Sequence, residues 1–374
     1  MFTVRQFLFL GLLFLLWLPL IQEVHPLFNR KPLSGAFTPA ENISFSFKQW
    51  FSGDYQIKKE NFLNEAIGFR SDFIRLANQI SYSIFNKSSN VHVVLGKNKY
   101  LFQRDYIRTY FGTDFIGTDS MAHLVKRLKG IHDTLSRLDK TLLLVIAPGK
   151  AYYYPEYIPD QLKSIPGPTN YDSFTGFIKE AGLNYIDFNR YFMSRKTTTS
   201  YALYPRYGIH WSYYGACIAG DSIIKRIEAL RHIDMPGFTW NHIDTGIVKE
   251  MDRDLGGGLN LFLPFKSDHL AYPRLQFESD MDKIKPAVLV ISDSFYNVMF
   301  DYGIEKCFSG SSYWYYNRKN VPAFYPNASP TDTVNLAEEI TNHDVILLMC
   351  TTASLSNIGW GFIDQAYNVF YGSK

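Results

Sequence analysis

The chain has 374 residues, of which 46% are hydrophobic and 20% charged, and a net charge of +3. That length suits one large α/β domain or two modest ones. The weak positive balance, with no dense Lys/Arg patch, argues against a nucleic-acid partner, and the three cysteines (Cys217, Cys307 and Cys350) are too few for a disulfide framework and match no metal-ligand spacing.

The N-terminus carries Arg5 and then an unbroken apolar run over 7–21. The run is short for a spanning helix, which takes roughly 17–25 residues, and suits a signal-peptide core or, with residues 2–4 added, a signal anchor. No small-x-small cleavage pattern follows it, which favours an uncleaved anchor over a cleaved signal; Arg5 on the N-terminal flank turns the body outward. Residues 1–22 are therefore expected to be an anchor or signal segment and 23–55, with Pro26, Pro32 and Pro39, a linker and lead-in. An α/β domain is expected over 56–374.

Within that domain the apolar spacing predicts a helix over 56–85. A hairpin is expected over 91–102, with Gly96-Lys97-Asn98 as its turn. A helix follows over 119–138, capped by Asp119 or Ser120. The run 141–147 is apolar throughout and stopped by Pro148-Gly149, as in a parallel strand buried on both faces. A helix at 171–181, a short strand at 183–188 and a helix that follows Trp211 and reaches about Leu230 come next. Residues 234–285 are irregular. Strands are expected at 286–292 and 344–351, with helices at 295–302 and 359–370. Buried strands alternating with helices mean an α/β sandwich with a largely parallel sheet.

In such a sheet, ligands gather at the carboxyl ends of the strands. Ser294 lies just past one of those ends, in Ile291-Ser292-Asp293-Ser294-Phe295. A serine at a sharp strand-to-helix turn is exposed, and backbone N–H groups there hold a developing oxyanion; the plainer alternative is a helix cap. Asp293 is expected to brace the turn. His210, in Arg206-Tyr207-Gly208-Ile209-His210-Trp211-Ser212, is the candidate base. Ser212 is placed to cap the next helix, Trp211 to wall a pocket and Arg206 to meet an anionic group. Gly208 stands where a serine–histidine pair usually finds its orienting carboxylate. Asp187, Glu156 and Asp268 are available elsewhere in the chain, with nothing to bring them to His210. Lys150 and Glu156 follow a strand end and either line the site or pair with each other to fix a loop. Asn297, Thr351, Thr352 and Asn357 are further candidates to line the site or donate to an oxyanion.

These residues resemble a family. His210-Trp211-Ser212 before a helix, and a strand running into Asp293-Ser294-Phe295, are similar to the SGNH-hydrolase-like domain of alginate O-acetyltransferase proteins of the AlgJ and AlgX type. Residues 61–70, 96–102, 148–150 and 154–159 resemble the same family's segments in the same order, so the resemblance covers about 56–370. It implies an SGNH-hydrolase-like three-layer α/β/α sandwich, with Ser294 as nucleophile and His210 as base. Gly208 departs from its Asp-x-His-Trp pattern. It further implies an exported O-acetyltransferase that modifies a cell-surface or secreted polysaccharide through an acyl-serine. The expected partner is a membrane-bound O-acyltransferase that supplies acetyl groups, and the body is extracytoplasmic, in the periplasm. No cofactor and no metal are expected. A carbohydrate acetylesterase or a non-catalytic polysaccharide-binding component are the alternatives. The tyrosine excess (26 Tyr, 30 Phe) fits either a carbohydrate-lining surface or an aromatic core.

Overall fold

A computed structural model of the chain describes residues 3–35, 39–246, 248–265, 269–321 and 328–372. Two compact units emerge: residues 1–91 with 256–265, and residues 92–255 with 266–374.

The first unit is helical. Helix α1 (Val4–Val24) contains the apolar run, and Thr3 caps it by accepting from Gln6 N–H. It is 21 residues long with a mean hydropathy of 2.1 over its best window, long and apolar enough to cross a membrane. The lead-in contains a short helix, α2 (Phe47–Ser52), and the helix expected over 56–85 is two, α3 (Asp54–Ala66) and α4 (Arg70–Phe85). The break has a steric cause. A Cβ at Gly68 would lie 2.2 Å from Pro19 O and 2.8 Å from Gln22 Cβ, so the α3–α4 turn is pressed against the end of α1 where only glycine fits.

The second unit holds the sheet. It opens on the expected hairpin, β1 (Val93–Leu95) and β2 (Leu101–Gln103), antiparallel in register Val94 to Phe102, and then α5 (Arg104–Tyr110). Helix α6 (Thr118–Arg137) begins one residue earlier than expected. Its N-cap is Gly117, with no side-chain cap bond, so neither Asp119 nor Ser120 caps it. Next come β3 (Thr141–Ala147), α7 (Lys150–Tyr153), α8 (Asn170–Glu180), β4 (Tyr185–Asp187), α9 (Phe188–Arg195) and α10 (Tyr213–Arg231). The irregular stretch contains β5 (Phe238–Thr239), β6 (Ile243–Thr245), α11 (Asp254–Gly258), β7 (Ala271–Pro273) and β8 (Gln276–Phe277). The chain closes with β9 (Ala287–Ser292), α12 (Tyr296–Asp301), β10 (Gly310–Tyr315), β11 (Lys319–Val321), β12 (Ser329–Pro330), α13 (Leu336–Asn342), β13 (Val345–Thr351) and α14 (Phe362–Tyr371).

The main sheet has the order β12-β11-β10-β9-β13-β3-β4. From β10 to β4 every pairing is parallel, and β11 and β12 add an antiparallel edge. The central strands β3 and β13 are buried along their whole length, as their unbroken apolar runs require. Alternate residues face opposite ways. Leu142, Leu144 and Leu348 pack under α6, α8, α13 and α14, whereas Leu143, Val145 and Leu347 pack under α5, α9, α10 and α12. This is a three-layer α/β/α sandwich. All three cysteines are free and buried.

Candidate active site

Ser294 sits two residues past the end of β9 and two before α12, at the carboxyl edge of the parallel strands. The turn that presents it is braced from below. Asp293 is 2% exposed; its Oδ1 accepts from Phe295 N–H at 3.1 Å and its Oδ2 from Thr351 N–H at 2.8 Å, tying β9 to the end of β13. Burial raises the Asp293 pKa, opposed by those two backbone donors. Tyr313 donates to the Asp293 carbonyl at 3.1 Å and to Asn297 Oδ1 at 2.8 Å, so the Asn297 amide oxygen is engaged by a neighbouring tyrosine.

His210 arrives from the loop 200–212. That loop has little secondary structure, so other bonds must hold it. Ser212 caps α10 by accepting from Gly215 N–H at 3.0 Å, as expected, and donates to Ala202 O at 2.6 Å. Lys150 is fully buried beneath the loop. Its ammonium donates to Arg206 O at 2.8 Å and to Gly208 O, and Leu101 N–H also donates to Arg206 O. Burying an ammonium costs several kcal/mol, by order of magnitude, unless hydrogen bonds satisfy it, and here loop carbonyls do so. Lys150 thus acts as a staple under the loop rather than as a partner of Glu156, which pairs with Lys196 at 2.6 Å. The Arg206 guanidinium packs over Tyr100, 5.1 Å from its ring centre.

Trp211 does not wall a pocket. It is fully buried among Phe188, Phe192 and Phe295, and its indole N–H donates to Phe295 O at 3.1 Å. That bond ties the residue after the histidine to the residue after the serine. The His210 ring lies against Phe295, with centroids 4.9 Å apart. Its Nε2 meets Ser294 Oγ at 2.8 Å.

The other ring nitrogen meets a carboxylate absent from the sequence candidates. Asp254 Oδ2 lies 2.7 Å from His210 Nδ1, in a bent contact off the line of the ring N–H. Asp254 is itself held, its Oδ1 accepting from Ile209 N–H at 2.8 Å and Leu255 N–H at 2.7 Å. The histidine therefore has a carboxylate, supplied by Asp254, at the ring nitrogen opposite Ser294.

Gly208 explains the substitution. A Cβ there would lie 2.7 Å from Met251 O, and 2.8 Å from both the carbonyl carbon and the oxygen of Asp252. Residues 251–252 occupy the space a side chain at 208 would need, and that close approach carries Asp254 to the ring. Asp187, by contrast, accepts from Tyr171 at 2.7 Å and caps α9; Asp268 lies outside the described residues.

Asp252 is a second carboxyl at this junction. It is 1% exposed, and burial raises its pKa to about 7, with the Asp254 charge adding to the rise and Lys249 and His210 opposing it.

Tyr316 was not a candidate in the sequence. Its hydroxyl lies near Ser294; burial, and then the Asp293 charge, raise its pKa, and Ser294 opposes the rise. It follows β10 in a left-handed conformation, φ 53°. Tyr315, Tyr316, Arg318, Lys319 and Trp360 line an open pocket of about 420 Å³ at this edge. Thr352 is buried, with its hydroxyl against the Gly149 backbone, and Thr351 donates its backbone N–H to Asp293. The sheet edge thus brings together Ser294, His210, Asp293 and Asp254, with Trp211 and Lys150 as supports. Glu156 stands apart.

A family model described as "SGNH hydrolase-like domain, acetyltransferase AlgX" matches residues 93–267. A probable alginate O-acetylase AlgJ of Azotobacter vinelandii is 24% identical over 195 residues, 52% of this chain and 45% of that protein. The chain thus spans about half the length of the curated relatives it matches. Among solved structures, the O-acetyltransferase domain of Pseudomonas putida AlgJ is 17% identical, with a TM-score of 0.49, covering 74% of this chain and 99% of that one. Pseudomonas aeruginosa AlgX is 14% identical, with a TM-score of 0.46, covering 73% and 66%.

Two outcomes test this geometry. Gly208→Asp, which restores the carboxylate at the family position, is expected to lower the melting temperature and ester-cleaving activity, because the new side chain meets backbone; overpacking of this kind costs about 1–3 kcal/mol. A gain in activity at unchanged stability would contradict the assignment of residues 251–254. Asp252 gives a pH test. A carboxyl whose pKa is higher folded than unfolded binds protons on folding, so it costs stability as pH rises from about 4 to about 7. In denaturant titrations, Asp252→Asn should gain stability over the parent progressively across that interval and level off above it. A pH-independent difference would contradict the shift.

Residues 93–267 are thus similar to the SGNH hydrolase-like domain of AlgX, and the chain is similar to AlgJ proteins over about half its length.

Proposed function

We propose that the chain is an exported, serine-dependent O-acetyltransferase that acetylates a polysaccharide and is anchored by α1. The observation that carries this is the His210 ring between Ser294 Oγ and the Asp254 carboxylate. An imidazole held in this way keeps its proton on Nδ1 and leaves Nε2 free to accept one from the serine.

Ser294 Oγ attacks the acetyl carbonyl of the donor while His210 Nε2 takes the hydroxyl proton. The tetrahedral oxygen develops negative charge near the Ser294 backbone N–H and the Tyr316 hydroxyl, two donors suited to hold it. Collapse breaks the bond to the donor's leaving group, which takes the proton from His210, and leaves acetyl on Ser294. A sugar hydroxyl then attacks the acyl-serine. His210 removes its proton and returns it to Ser294 Oγ as the acetylated sugar leaves. Water in place of the sugar gives an esterase by the same steps.

Two features favour a saccharide acceptor. The open pocket beside Tyr316 combines the rings of Tyr315, Tyr316 and Trp360 with the cations Arg318 and Lys319, a surface suited to stack on sugar faces and attract acidic ones. The matched relatives are named alginate O-acetylases. A membrane-bound O-acyltransferase that hands acetyl groups outward is the expected donor partner.

The test is acyl-enzyme formation by the full chain in detergent with an activated acetyl ester. Mass analysis should find an acetyl adduct on the Ser294 peptide and none in Ser294→Ala. Asp254→Asn should form it more slowly by a factor on the order of 10²–10⁴. No adduct on the parent, or equal labelling of Ser294→Ala, would overturn the proposal.

A further inference from the structure

Helix α4 packs the wrong way round for a helix in water. Its polar side faces its own unit: Arg75 donates to Pro32 O at 2.7 Å, Asn78 to Leu259 O at 2.9 Å, and Gln79 Oε1 accepts from Leu263 N–H at 2.9 Å. Its apolar stripe faces out. Phe73, Leu76, Ile80 and Ile84 recur at helical spacing and are 55%, 51%, 44% and 70% exposed. Among the described residues of α2, α3 and α4 none is buried, and α2 adds Phe47 and Phe51 at 72% and 83% exposure. An uncovered apolar surface of this extent marks an interaction site.

The contact with α1 indicates what covers it. At 21 residues α1 is about 31 Å long, close to the thickness of a bilayer core. Its C-terminal turns therefore lie at the membrane boundary when it spans. Gly68, in the α3–α4 turn, touches Pro19 and Gln22 in those same turns. Gln22 also bonds the chain just beyond the helix, donating to Phe28 O at 2.8 Å and accepting from Leu27 N–H at 3.1 Å. Helix α4 thus starts beside the C-terminal turns of α1, at the membrane boundary when α1 spans. Trp50 and Tyr55 cluster with Phe45 in the same unit, and Trp and Tyr are the rings that favour the headgroup level.

We propose that the apolar stripe of α4 seats on the lipid surface of the membrane that α1 crosses, as an interfacial amphipathic helix. The seat rests on the anchor reading of α1 and adds a second, lateral hold to it. Lipid tails replace water along the stripe while the polar side stays bonded to the unit.

The test uses the full chain reconstituted in vesicles of phosphatidylcholine and phosphatidylglycerol. An environment-sensitive dye is attached in turn at Leu76→Cys and Ile80→Cys. The native cysteines are buried, so the introduced one takes the label. Both labels should emit to the blue of the free dye–cysteine adduct in water and lose intensity to a nitroxide carried on the lipid chains. Protein that floats with the vesicles while both labels keep the water-like emission overturns the seat and leaves the anchor standing. A blue-shifted label that the lipid-borne quencher does not touch means another protein surface covers the stripe, and also overturns the seat. Protein that fails to float overturns the anchor and the seat together.

Discussion

The candidate site depends on a backbone-to-backbone approach at Gly208. Residues 251–252 run so close to Gly208 that no side chain fits between them, and this proximity places Asp254 against His210. The resemblance in sequence implies an orienting carboxylate two residues before the histidine. Here the loop gives up that side chain, and a segment more than forty residues later fills the space with its own backbone and supplies the acid. The chemical requirement is a negative group on the far nitrogen of the imidazole; its position in the chain is free as long as the geometry is met.

Around that contact, each supporting interaction fixes one part of the site. Asp293 locks the serine turn to the neighbouring strand, Trp211 locks the histidine to the serine through Phe295 O, and Lys150 holds the loop carbonyls. These groups are buried and hydrogen-bonded. Leaving any one partner unsatisfied would cost about 1–3 kcal/mol, and more for the charged lysine. The expense of burying an ammonium and a carboxylate beside the site is consistent with a requirement for rigid placement, since catalysis depends on holding the reacting groups close to a productive arrangement.

Much of this was legible in the chain. Two continuous apolar runs became β3 and β13, and the run that ends at Ser292 placed Ser294 at the correct edge of the sheet. Ser212 capped its helix because the cap is a local interaction, readable within four residues. The acid was not legible. Asp254 lies in a stretch with short strands and no strong periodicity, and only tertiary packing delivers it. Tyr316 was missed with β10, whose Gly310–Tyr315 sequence alternates too weakly to stand out beside the buried strands. Trp211 was expected to wall a pocket, and Lys150 either to line the site or to pair with Glu156; both lie beneath the site instead. Residue type showed that they mattered, but burial, which determines their role, is a property of the fold.

The central claim is that Asp254 sets the protonation geometry of His210. Nitrogen-15 NMR of histidine-labelled protein, with the His210 signals assigned by difference from a His210 variant, reads that geometry directly. The account predicts a neutral His210 with its proton on Nδ1, and a shift of that proton to Nε2 in Asp254→Asn. A parent His210 protonated on Nε2, or a tautomer unchanged by Asp254→Asn, would contradict it.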